Sequence, residues 1–147
     1  MKRHPALQPL SRDHHPALVQ AKRLIGFSGD GDRARAAAES FITFWDEAIT
    51  PHFREEEEWL LPLVALRVGE EAEEIRETLR QHVVLRRQVM GLRLALQRGE
   101  PPAAIDLNAL GEALRAHVRF EEEQLFPAAE AALGEEEWAA LAEWLAA

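Results

Sequence analysis

The chain has 147 residues, close to half of them apolar, and a formal net charge of −9. That length and makeup predict one globular domain over residues 1–147, and the negative balance argues against nucleic acid or an anionic membrane surface as partner. There is no cysteine, which excludes disulfides, thiolate metal sites, iron–sulfur clusters and cysteine nucleophiles.

Ala, Leu, Glu and Arg dominate, a mixture that favours helix. Breakers divide it into four long helical stretches and a short one. The first is predicted from about Ser11 to Ile25, with Pro16 in conflict unless the helix begins later than Ser11. After the segment from Gly26 to Asp32, with Asp32 as a plausible N-cap, the second runs from about Arg33 to Leu66. Pro51 should bend it just before His52. Gly69 separates it from the third, about Glu70 to Gln97. A stop at Gly99-Glu-Pro-Pro102 leads to the fourth, with Asp106 as its expected cap and Gly134 as its expected end. The tail, residues 135–146, is amphipathic, with Trp138 and Trp144 read as core or capping aromatics. No segment alternates with a period of two for long enough to suggest a strand. The economical architecture is an all-α, up-down-up-down four-helix bundle over about residues 11–133, with a short extra C-terminal helix.

No apolar run approaches the roughly 20 residues that cross a bilayer. The N-terminal Met1-Lys-Arg-His-Pro5 is not followed by the apolar stretch of a signal peptide. A cytoplasmic location is the resulting expectation.

Two segments nearly repeat each other. Residues 52–62, HFREEEEWLLP, recur as residues 117–127, HVRFEEEQLFP, with seven of eleven positions identical. In each, a histidine is followed four residues later by a glutamate: His52 and Glu56, His117 and Glu121. On a helix this spacing puts both side chains on one face, with Cβ atoms roughly 5–6 Å apart.

The apolar stripes place these pairs inward. Phe41, Trp45 and Ile49 share a face with His52 and Glu56, and Leu110 and Leu114 lead into His117 and Glu121. Glu57 lies on the flank of its stripe, while Glu55, Glu58 and Glu123 point away. The third helix offers His82 among Leu79, Val83, Leu85 and Val89. On the first, His14 falls near the middle of the stripe formed by Ala17, Leu18, Ala21 and Leu24, and His15 at its edge. The local spacing His15-x-x-Leu18 matches His82-x-x-Leu85, so both remain candidates, with the face favouring His14. His4 precedes the regular structure and has no expected role.

Each feature alone has a plainer reading. A lone core histidine is usually hydrogen-bonded, and an acidic run is usually a solvated face. The conjunction points to metal. Two buried carboxylates without cations would each cost several kcal/mol, on the order of magnitude of a buried unpaired charge. Two cations between them would satisfy four imidazoles and both carboxylates together. Imidazole with carboxylate suits iron, zinc or manganese. The Glu-x-x-His unit of ferritin-like bundles and the zinc-protease His-Glu-x-x-His are both missing.

On Asp13-His14-His15, His52 through Glu56-Glu57 to Pro62, His82, and His117 through Glu121-Glu122 to Pro127, nearly the whole chain resembles the hemerythrin-like HHE cation-binding domain family. The resemblance implies a four-helix bundle with two iron ions in a non-heme centre. Carried over by position, His14 (or His15), His52, His82 and His117 would be terminal ligands, and Glu56 and Glu121 would bridge. Oxygen-carrying hemerythrins have a further histidine one turn after the first on the third helix; here that place is Arg86, which counts against reversible oxygen carriage. The expected partners are metal ions and a small diatomic or peroxide ligand, in sensing, storing or detoxifying iron, oxygen, peroxide or nitric oxide. An iron peroxidase or other oxidoreductase, and a metal-free helical interaction module, are the alternatives.

Overall fold

The computed structural model describes residues 2–147. Five helices form an all-α up-down-up-down bundle of four with a short fifth, and there is no strand among the described residues. After a 3-10 turn at Pro5–Leu7, α1 is Gln8–Ile25. α2 is one continuous rod over residues 31–68, α3 is Glu73–Gln97, α4 spans residues 104–132, and α5 is Glu135–Ala146.

Several boundaries differ from the sequence expectation. α1 begins before Ser11, because His4 caps the leading turn by accepting from the Ala6 N–H (3.0 Å) and Pro9 fits the first helical turn. Pro16 therefore lies inside α1, on its solvent side, where the Arg12 carbonyl to which it cannot donate belongs to an exposed residue. The N-cap of α2 is Asp30, with Asp32 in the first turn bonded to Arg35. α3 starts at Glu73 after Ala72, and α4 starts after Ala103, leaving Asp106 in its first turn. Gly134 opens α5 rather than closing α4; its N–H donates to Glu137 Oε1 at 2.8 Å.

Three wide, π-type turns interrupt the rods: Trp45–Ile49, Glu56–Leu60 and Glu121–Leu125. They close through the N–H of Thr50 to Trp45, of Leu61 to Glu56 and of Phe126 to Glu121. Each begins six residues before a proline: Pro51, Pro62 and Pro127. Proline lacks the N–H for the normal bond, and its ring crowds the carbonyl four residues back. Widening the preceding turn relieves that crowding without ending the helix. At Pro51 the structure thus has a wide turn where the sequence predicts a bend. The extra residue per turn also advances the buried face, so Leu60, Leu61, Leu63 and Val64 are all covered.

The interior is two apolar clusters. One contains Leu24, Phe41, Trp45, Phe53, Leu85, Leu110 and Leu114. The other contains Leu7, Leu10, Leu60, Leu125, Phe126 and Leu141. Trp138 joins the second and stacks on His4 (4.1 Å between centroids), whereas Trp144 is 39 % exposed beside Trp59. The buried polar residues His14, His52, Glu56, His82, His117 and Glu121 belong to neither cluster.

α1 and α4 pack closely at Gly111. A Cβ there would lie 2.7 Å from the Ala21 carbonyl oxygen and 2.9 Å from both the Ile25 nitrogen and its Cγ1. One turn earlier, Asn108 Nδ2 donates to the Leu24 carbonyl (2.8 Å) and the Phe27 carbonyl (3.1 Å), pairing acceptors at the end of α1. Gly111→Ala must push the helices apart, and chemical denaturation should show a loss of about 1–3 kcal/mol. An unchanged midpoint would show that the contact yields freely.

Candidate metal centre

The structure brings His14, His52, Glu56, His82, His117 and Glu121 together, all buried, from four helices. α1 supplies His14 and α3 supplies His82. α2 supplies His52 and Glu56, and α4 supplies His117 and Glu121, each pair one turn apart. Glu56 and Glu121 are the first residues of the two equivalent wide turns and are fully buried. His15 is exposed: one step along α1 is about 100° around it, which carries this side chain out of the stripe that buries His14.

All four histidines aim Nε2 inward. Glu121 Oε1 lies 2.9 Å from His14 Nε2 and 3.6 Å from His52 Nε2, while its Oε2 lies 3.1 Å from His117 Nε2 and 3.6 Å from His82 Nε2. Glu56 is divided likewise, Oε2 being 3.1 Å from His52 Nε2 and Oε1 3.2 Å from His82 Nε2. Each carboxylate thus gives one oxygen to each of two histidine pairs. The result is two quartets, His14–His52–Glu56–Glu121 and His82–His117–Glu56–Glu121, whose donor atoms lie within 4.8 Å of one another.

The outward Nδ1 atoms are held by a ring of partners, each from the neighbouring helix. His14 bonds Glu122 (2.6 Å), His52 bonds Asp13 (2.9 Å), His82 bonds Glu57 (2.6 Å) and His117 bonds Gln81 (2.7 Å). Such partners fix ring orientation and tautomer, leaving Nε2 as the inward donor to a cation. Sequence reasoning gave none of these four a role. The available signal was adjacency: Asp13, Gln81, Glu57 and Glu122 each sit one residue from a candidate ligand, and so about 100° around the helix toward a neighbour. Ser11 and Arg3 hold Glu122, and Arg86 donates to Glu57 at 2.8 Å. Arg86 therefore supports a histidine partner at the place where oxygen carriers have another histidine.

Electrostatics within the cluster favour separated charge. Burial pushes the His14 imidazole down, but Glu121 and Glu122 outweigh it and raise its pKa to about 9. Burial acts the same way on His82, and Glu121, Glu56 and Glu57 raise it to about 10. His52 is pushed down by burial and carried well above its usual range by the Glu56 charge and Asp13. Burial pushes the Glu121 carboxyl up, yet the His117 charge and the His14 bond hold it well below the usual carboxylate range. Protons on His14, His52 and His82 stand where cations would, so metal uptake there must release them.

Phe53 walls one side. Its ring stacks on His82 (3.7 Å, 8°), meets His117 edge-on and is covered by the Arg86 guanidinium at 5.4 Å. Phe126 stacks on His14 at 5.4 Å. Phe53→Ala should cost about 3–5 kcal/mol of folding free energy, as for a buried aromatic cavity. A denaturation midpoint equal to that of the parent would show that Phe53 does not support this wall.

The donor set fits metal ions. His52, His82 and His117 Nε2, both Glu56 oxygens and Glu121 Oε2 are buried without an aligned hydrogen bond. Buried polar atoms left so are rare and call for a partner. The nitrogen–oxygen separations of 2.9–3.6 Å are those of neighbouring donors about 2.0–2.2 Å from a shared ion. No helix is long and apolar enough to cross a membrane among the described residues. Comparison with curated proteins and with solved structures returned no significant match. The profile of the hemerythrin HHE cation binding domain matches residues 6–129, a stretch that contains every residue of the cluster and its outer ring. With that match over most of its length, the chain belongs to the hemerythrin HHE cation-binding domain family.

Proposed function

We propose that this protein is a single-domain binder of two iron ions, with Glu56 and Glu121 bridging them and His14, His52, His82 and His117 as terminal ligands. The observation that carries the reading is the division of both buried carboxylates between two histidine pairs. Iron is favoured over zinc and manganese by the family resemblance, since the ligand types suit all three. Each quartet offers four protein groups, fewer than an octahedral ion takes, and non-heme iron with open positions binds and activates small oxygen species. The role that follows is sensing, storing or detoxifying iron, oxygen, peroxide or nitric oxide.

The chain's own residues supply orientation and shelter. The outer partners hold the imidazoles, Glu121 keeps its negative charge, and Phe53, Trp45, Leu60, Leu110 and Leu125 shelter the centre. The test is nitric oxide added to the reduced, iron-loaded protein under anaerobic conditions. A saturable spectral change is expected, smaller in Glu56→Ala in proportion to the iron that variant loses. Iron-loaded protein that shows none would overturn the small-ligand role.

A further inference from the structure

The two histidine pairs are related by a near-repeat: α1 corresponds to α3 and α2 to α4. Under it Glu122 behind His14 matches Glu57 behind His82, and each of these glutamates carries its own arginine, Arg3 or Arg86. The remaining pair does not match. His52 has the Asp13 carboxylate behind it, whereas His117 has the neutral Gln81 amide. Gln81 Nε2 faces Glu77 Oε2 at 3.4 Å, which directs its Oε1 to His117.

An anionic acceptor behind an imidazole makes the other nitrogen a stronger donor and offsets the charge of the bound ion, and a neutral amide does this less. A second asymmetry points the same way. A crevice of about 140 Å³ between α3 and α4 is lined by Arg80, Gln81, Val84, Ala113, Ala116 and His117. It reaches His117 and stops short of His82.

We infer that the two metal positions are inequivalent: the His14–His52 position holds its ion more tightly, and the His82–His117 position, with Gln81 behind it and the crevice beside it, holds the exchangeable one. This rests on the two-metal reading above. Gln81 and Asp13 act through the imidazoles and are positioning residues.

The test uses Zn2+ in competition with a chromophoric chelator. His82→Ala, which keeps the His14–His52 position, should bind Zn2+ about tenfold tighter than His14→Ala, which keeps the other, as outer partners commonly change affinity by that factor or more. Gln81→Glu in the His14→Ala protein should tighten binding about tenfold, and Asp13→Asn in the His82→Ala protein should weaken it about tenfold. In the parent chain loaded with zinc, limited chelation should return the His82 and His117 ring resonances to their metal-free positions first. Equal single-position affinities, or loss from His14 and His52 first, would overturn the inequivalence alone. Failure of the parent chain to take up two equivalents would overturn the two-metal reading along with it.

Discussion

Glu121→Ala is expected to lower bound iron from two equivalents to one or fewer, and Glu56→Ala to do the same. Among the described residues, only Glu121 has oxygens near all four imidazoles, at 2.9 Å to His14, 3.1 Å to His117 and 3.6 Å to His52 and His82. Removing it leaves four imidazoles and one carboxylate, too little negative charge to offset two divalent cations in a buried site. His52→Ala should also fall to one equivalent or fewer, because the His14–His52 position loses one of its two imidazoles. Elemental analysis of the three variants beside the parent checks this, with helical circular dichroism to confirm folding. Folded variants retaining full iron would contradict the proposed bridging role of both carboxylates.

Metal removal should destabilise the protein by an amount that grows with pH. In the metal-free chain His14 titrates at about 9 and His82 at about 10, against an ordinary value of 6.5. Stability from these raised groups is complete below pH about 6.5 and is lost as pH rises through about 9 and 10, at up to about 1.4 kcal/mol per pH unit for each proton. Metal binding runs the opposite way, because ions and protons compete for the imidazoles and the ions gain as pH rises. Free metal at a thousandfold over its dissociation constant would add about 4 kcal/mol per ion. Thermal melts with and without chelator, from pH 6.5 to 9, should therefore show a widening gap. A gap that is constant or that narrows would mean that protons and metal do not share these nitrogens.

Much of the centre was legible in the helical period. Phe41, Trp45 and Ile49 marked the face of His52 and Glu56, and Ala17, Ala21 and Leu24 that of His14, which the structure buries while exposing His15; Leu18, expected in the same stripe, is exposed, as are Leu79 and Val83 beside His82, where only Leu85 and Val89 are covered. Face assignment stops at the helix surface, however. It says which way Asp13 or Gln81 points and not which neighbouring imidazole it meets, since that depends on how the rods are placed side by side. The wide turns were missed for a related reason. A constant advance of about 100° per residue has no room for an extra residue, although Glu56 with Pro62 and Glu121 with Pro127 carried the signal. The boundaries erred where capping came from outside the helix: His4 set the start of α1, and Glu137 turned Gly134 from an expected helix end into a helix beginning.

The proposal that two ions sit between Glu56 and Glu121 underlies every functional expectation, and the iron content of purified protein reconstituted without oxygen and freed of loose metal tests it most directly. Two equivalents per chain are predicted, falling to one or fewer with Glu121→Ala. A folded parent chain that keeps less than one equivalent would contradict the paired-metal centre.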